Sequence, residues 1–188
     1  MFPRLSGGFG RKFNRVGDRV ARRPSCTPWW ADEVRHEETD MAEAYYSTIF
    51  EQPAAQVWEI VRDFNNYTVW VDGAGESAIE GGKAGDTVGA IRKVLYRERQ
   101  IRQRLLALSD VDRSQTYEFC GAPSLPVRDF RATLRISEVI DGGRAFVEWW
   151  ATFDCEVASR DEICATLRGW FATWLESLRR TLAPRYWG

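Results

Sequence analysis

From Ser159 to Pro184 the chain reads "SRDEICATLRGWFATWLESLRRTLAP", in which Ile163, Leu167, Trp170, Phe171, Trp174, Leu175, Leu178 and Leu182 recur at intervals of three and four. That spacing lays one apolar stripe along a helix of about 22 residues, a rod of roughly 33 Å at ~1.5 Å rise per residue. Ser159 with Glu162 three residues on matches a capping box, and Pro184 stops the helix. A stripe of this length must be covered by something equally long, and what precedes it in the chain is almost entirely strand.

Tyr45 to Phe50, Glu76 to Glu80, Thr87 to Leu95, Arg99 to Leu108, Gln115 to Cys120, Asp129 to Ile140 and Arg144 to Asp154 are rich in β-branched, aromatic and alternating residues. "EGGKAGD", "SDVDRS" and "DGG" read as hairpin connections, so the strands form an antiparallel meander. Alternation says which face is inside. Ala145, Val147, Trp149, Ala151 and Phe153 form one apolar row, and Phe130, Ala132, Leu134 and Ile136 form another. Glu148 points the other way and is expected to pair across strands with Arg131 or Arg135 on the solvent face.

Between the first two strands, Ala54, Val57, Trp58, Val61 and Phe64 keep helical spacing, with Pro53 in the first turn and Glu59, Arg62 and Asp63 outside the stripe. Asn65 and Asn66 tolerate left-handed backbone and are expected to end this helix. A second short helix or turn then carries Tyr67, Trp70 and Val71. The order strand, broken helix, meander, long amphipathic helix limits the architecture to an α+β fold with helices on one face of the sheet.

With 44% hydrophobic residues among 188, nine of them Trp, the chain can bury one full-sized core, either heavily packed or hollowed by a cavity lined with flat rings. A net charge of −1 gives no electrostatic footprint for nucleic acid or an anionic membrane, and no apolar run nears the ~20 residues that span a bilayer. Cys26, Cys120, Cys155 and Cys164 lack zinc-ligand spacing and read as small hydrophobes in a reducing compartment. The only histidine, His36, lies near the N-terminus, so the rest of the chain has no Ser-His or Cys-His arrangement. "GAGESA" opens no crossover helix and "GGKAGD" lacks the hydroxyl of a phosphate-binding loop. These absences predict no metal and no stored cofactor.

Residues 1–41 differ from the remainder. Seven basic residues from Arg4 to Arg23 face only Asp18 before five acidic residues follow. Blocky charge without apolar periodicity reads as a disordered tail: a transit peptide, a basic interaction arm, or an extension ahead of a start at Met41. The globular part, 42–188, carries a net charge of −3. A cytoplasmic location is expected, with organelle targeting by the Arg-rich tail as the alternative.

Several stretches taken together, "PAAQVWEIVRDFNNYTVW", "GDTVGAIRKV", "SLPVRDFRATLRI", "GGRAFVEWWATFD" and the closing helix, resemble the START/Bet v 1-like (SRPBCC) superfamily, in particular its polyketide cyclase/dehydrase and lipid-transport group, which includes plant lachrymatory factor synthase. The resemblance covers about Ala44 to Leu182. It implies a helix-grip fold, a curved antiparallel sheet wrapped around the long C-terminal helix, with a central apolar cavity for a small apolar molecule.

Polar residues on the inner rows are then the candidates, because a buried polar group needs a partner or a ligand. Val88, Ala90 and Arg92 form one row, Ile101, Gln103 and Leu105 the next, and Gln115, Tyr117 and Phe119 the third, aiming Arg92, Gln103 and Tyr117 into the barrel mouth. Trp70, Phe119, Phe130, Trp149, Trp170 and Trp174 are the aromatic candidates for the wall. In the lachrymatory-factor-like branch, matching positions carry an arginine, a glutamate and a tyrosine. Gln103 stands where that acid would be, and an amide cannot accept and return a proton as a carboxylate does. Two functions therefore compete: a carrier or sensor of a small apolar ligand, and a cyclase-, dehydratase- or isomerase-like enzyme in which Arg92 and Tyr117 are catalytic. A third, a protein-interaction module using the tail or Trp187, requires a filled interior.

Overall fold

The computed structural model describes residues 39–121 and 123–183. Seven strands, β1 (Thr39–Phe50), β2 (Ala74–Ile79), β3 (Ile91–Tyr96), β4 (Arg99–Ser109), β5 (Ser114–Phe119), β6 (Arg128–Val139) and β7 (Arg144–Glu156), form one antiparallel sheet in the order β1-β7-β6-β5-β4-β3-β2. Helices α1 (Ala54–Val61) and α2 (Tyr67–Trp70) bridge β1 and β2, and α3 (Arg160–Leu182) closes the chain. The curved sheet and long helix make the helix-grip fold. Because β1 returns to β7 while the hairpins run outward to β2, the inner rows of all central strands face one interior.

The inner rows fall where alternation puts them: Phe130, Ala132, Leu134 and Ile136 are buried, as are Ala145, Val147, Trp149, Ala151 and Phe153. Leu167, Phe171, Trp174, Leu175 and Leu178 of α3 are buried with them. A fully buried Leu or Phe contributes about 1.5–3 kcal/mol, so this shared interior dominates the stability. On the outer face Glu148 accepts hydrogen bonds from Arg135 at 2.7 and 2.9 Å and from the Tyr45 hydroxyl at 3.0 Å. The expected cross-strand pair is thus the one with Arg135.

Several local expectations change. Asn65 and Asn66 do not enter the left-handed region; Asn66 has φ −76° and caps α1 by donating its side-chain amide to the Ile60 carbonyl at 2.7 Å. Pro53 is the residue before the first turn, its carbonyl accepting from Gln56 and Val57. Ser159 makes no side-chain cap, because it ends a 3₁₀ turn (Val157–Ser159) that already leads into α3. Val88 is exposed rather than inward, since the Ala90 N–H closes a turn on the Thr87 carbonyl at 2.9 Å and β3 begins only at Ile91. Strand β1 starts two residues before Met41, with Thr39 and Asp40 opposite Glu156 and Cys155. His36, Cys26 and the rest of residues 1–38, and Trp187 near the C-terminus, lie outside the described residues. Among the described residues no helix is long and apolar enough to cross a membrane.

Candidate functional site

A cavity of about 230 Å³ lies between the inner face of β3–β6 and α3. Its walls are largely apolar: Val94 and Ile101 from the sheet, Phe119 and Phe130 from the next strands, Leu167 and Phe171 from the helix. Trp170 and Trp174 line the helical side, Trp174 donating its indole N–H to the Tyr96 hydroxyl at 3.0 Å. At the mouth stand Arg97 and Arg99, from either side of the β3–β4 turn, and Ser124 from the β5–β6 connection.

Polar groups reach the inner wall from three neighbouring strands. Arg92 lies opposite Gln103 in the β3–β4 ladder, and Tyr117 lies opposite Leu105, two residues along β4 from Gln103. Residues two apart on a strand share a face, so the three form a diagonal across the sheet. Gln103 and Tyr117 line the cavity, whereas Arg92 does not. Only 2% of Arg92 is exposed: its guanidinium lies 4.0 Å from the ring centres of both Phe64 and Tyr67, donates to the Phe64 carbonyl at 2.6 Å, and donates to the Gln103 side-chain carbonyl. Contact with a ring face stabilises a desolvated cation by about 2 kcal/mol. The expected inward-pointing arginine is therefore a cation one layer behind the wall, with Gln103 as its intermediary.

Burial sets the protonation states. Loss of solvent lowers Arg92 to about 10, partly offset by Tyr67, Tyr117 and Asp63, so the guanidinium stays charged at neutral pH. Burial pushes Tyr117 up to about 12 against the opposing effects of Arg92 and of the hydrogen bond from the Trp149 indole at 3.2 Å, and raises Tyr67 well above its ordinary range. Both phenols keep their protons. No Asp or Glu lines the cavity, and among the described residues no cluster of His, Cys, Asp and Glu could hold a metal.

Of the aromatic candidates, Phe119, Phe130, Trp170 and Trp174 line the cavity. Trp149 and Trp70 lie behind them: Trp149 stacks on Phe171 at 4.9 Å and packs at 5.4 Å from Trp174, with Trp70 6.0 Å from Trp149. Tyr96 and Arg99 extend the rows of Arg92 and Gln103 outward by the same period of two, the signal that would have pointed to them. Glu98 takes φ 66° on the turn and does not line the cavity.

A family model described as polyketide cyclase/dehydrase and lipid transport matches residues 41–183, spanning both the sheet and the helix that enclose this cavity. The chain belongs to that family. Solved structures place it among similar folds. A Bacillus thuringiensis protein described as putative and uncharacterized is 26% identical with a TM-score of 0.64, covering 74% of this chain and 97% of its own. The protein XoxI from Bacillus cereus is also 26% identical at TM-score 0.64, covering 74% and 94%, and a Thermobifida fusca structure is 26% identical at 0.65, covering 77% and 97%. Among curated proteins none matches the sequence. Within the polyketide cyclase/dehydrase and lipid-transport family, then, this member combines an apolar cavity with a buried arginine held by the Gln103 amide.

Proposed function

We propose that the protein binds a small apolar molecule, lipid-, polyketide- or other hydrophobic-metabolite-like, in the cavity between sheet and α3, and acts as a carrier or sensor. One observation carries this reading: the cavity is walled by rings and aliphatic side chains, and the polar groups on its inner wall hold their protons at neutral pH. Such a surface orients a ligand by a few hydrogen bonds within an apolar enclosure. Acid–base turnover needs a group that gives and takes a proton near the working pH, and neither the Gln103 amide nor the Tyr117 phenol does so. This supports binding over the lachrymatory-factor-like chemistry.

The test is native mass spectrometry of the full chain as purified, followed by denaturing extraction and identification of what is released. A defined apolar molecule, displaced in a Phe130→Trp variant that fills the cavity, supports the reading. An empty protein that also takes up no apolar fluorescent probe overturns it.

A further inference from the structure

Several polar side chains of the cavity, apart from the Tyr67 and Ser124 hydroxyls, have an oxygen held from the protein side. Three side chains that line it have an acceptor already engaged from within the protein: the Gln103 carbonyl by Arg92, the Tyr117 oxygen by the Trp149 indole, and the Tyr96 oxygen by the Trp174 indole. With one lone pair of each oxygen taken, these residues are biased toward donating to a ligand, through the Gln103 NH₂ and the phenolic O–H groups. Arg92 has no carboxylate partner within ion-pair distance among the described residues, and its Nε makes no hydrogen bond. Its charge is therefore met at close range by dipoles and ring faces, with the Asp63 carboxylate acting only from beyond ion-pair distance. Polarised by that charge, the Gln103 amide is a stronger donor than an isolated one. At the mouth, Arg97 and Arg99 add positive charge without an ion pair among the described residues, and no lining residue is acidic.

Resting on the cavity-binding reading above, we infer that the ligand is a small apolar acid bound as its anion, with its carboxylate or enolate oxygens accepting hydrogen bonds from Gln103 and Tyr117 and its charge compensated by Arg92 behind them. An anion there gives the buried cation the nearby counter-charge it lacks, which a neutral or cationic ligand cannot do. Arg97 and Arg99 would draw the anion toward the mouth, an effect on association rate that salt screens.

Isothermal titration of the full chain with octanoate, octanamide and octylamine, three probes with one apolar body and different heads, tests the class directly. Octanoate is expected to bind about tenfold more tightly than octanamide, with octylamine weaker still, reflecting the stronger hydrogen bonds made by a charged acceptor. Gln103→Glu puts a carboxylate beside Arg92 and should abolish the preference for octanoate while leaving octanamide bound. Arg97→Gln together with Arg99→Gln should slow octanoate association and flatten its salt dependence. Octanamide or octylamine binding as tightly as octanoate to the unaltered chain overturns the acid class and leaves the cavity reading standing. Failure of all three to bind removes both.

Discussion

Arginines at the two ends of the sheet are partnered differently. At the end carrying the β4–β5 hairpin, Asp110 accepts from the Trp58 indole at 2.9 Å and from Arg62 at 2.7 and 2.9 Å, and Arg62 also reaches Asp86 at 2.8 Å. One arginine and two aspartates thereby tie α1 to two connections of the sheet. At the other end, Arg97 and Arg99 stand at the cavity mouth with no ion pair among the described residues. The contrast teaches that matched charges hold the helix to the sheet where the molecule is closed, while the two arginines lining the opening, with Glu98 between them on the turn, make no ion pair among the described residues.

The largest effect expected from breaking this contrast comes from aromatic truncation. Phe64→Ala removes a fully buried ring that also covers Arg92, and should cost about 3–5 kcal/mol in urea unfolding. Trp170→Ala, at the partly exposed cavity wall, should cost about 1–1.5 kcal/mol. Equal losses would remove the distinction between a fixed end and an open one. Gly85→Ala comes next, because a Cβ there would meet the Asp63 carboxylate oxygen at 1.9 Å, an oxygen held by the Asn65 N–H at 2.8 Å. A loss of about 1–3 kcal/mol is expected, partly recovered by adding Asp63→Ala, with urea midpoints as the readout.

Acid titration sharpens the comparison more gently. The hydrogen bonds from Arg62 and Trp58 hold Asp110 down at about 2, below the ordinary aspartate value of 3.8. Its folded-state pKa is thus depressed, so its stabilisation is complete above pH ~4 and is lost as pH falls toward 2. The melting temperature should fall more steeply between pH 4 and 2 in the unaltered chain than in Asp110→Asn. The smallest effect belongs to Ser159→Ala: an N-cap serine usually contributes about 1 kcal/mol, but this one makes no cap bond, and the change should stay within about 0.5 kcal/mol.

Alternation made most of the sheet legible, because a period of two separates Phe130, Ala132 and Leu134 from Arg131, Thr133 and Arg135 without knowledge of any partner strand. The α3 stripe was legible for the same reason at a period of 3.6. Arg92 was read correctly as an inner-row residue, yet its place behind the wall depends on the Phe64 carbonyl and Tyr67 ring, brought over it by the junction of α1 and α2. No local pattern encodes that long-range contact. The β3–β4 turn was legible only as the gap between the strands ending at Leu95 and starting at Arg99, because Arg97 and Glu98 take φ 45° and 66° without the glycine or asparagine that normally announces such a turn. That Arg97 and Arg99 line the cavity carries no sequence motif of its own. Val88 misled because its β-branched side chain fits a strand, while the backbone around it closes a turn.

The indoles of Trp149, Trp170 and Trp174 form a chain with ring centres 5.4 and 5.9 Å apart, and Trp70 joins it at 6.0 Å from Trp149. At such separations their electronic transitions couple, and excitation absorbed by one is shared with the others before it is emitted. Because Trp170 and Trp174 face the cavity while Trp149 and Trp70 lie behind them, the buried members are optically wired to the wall, and the near-ultraviolet spectrum of the whole group registers what occupies the space beside two of them.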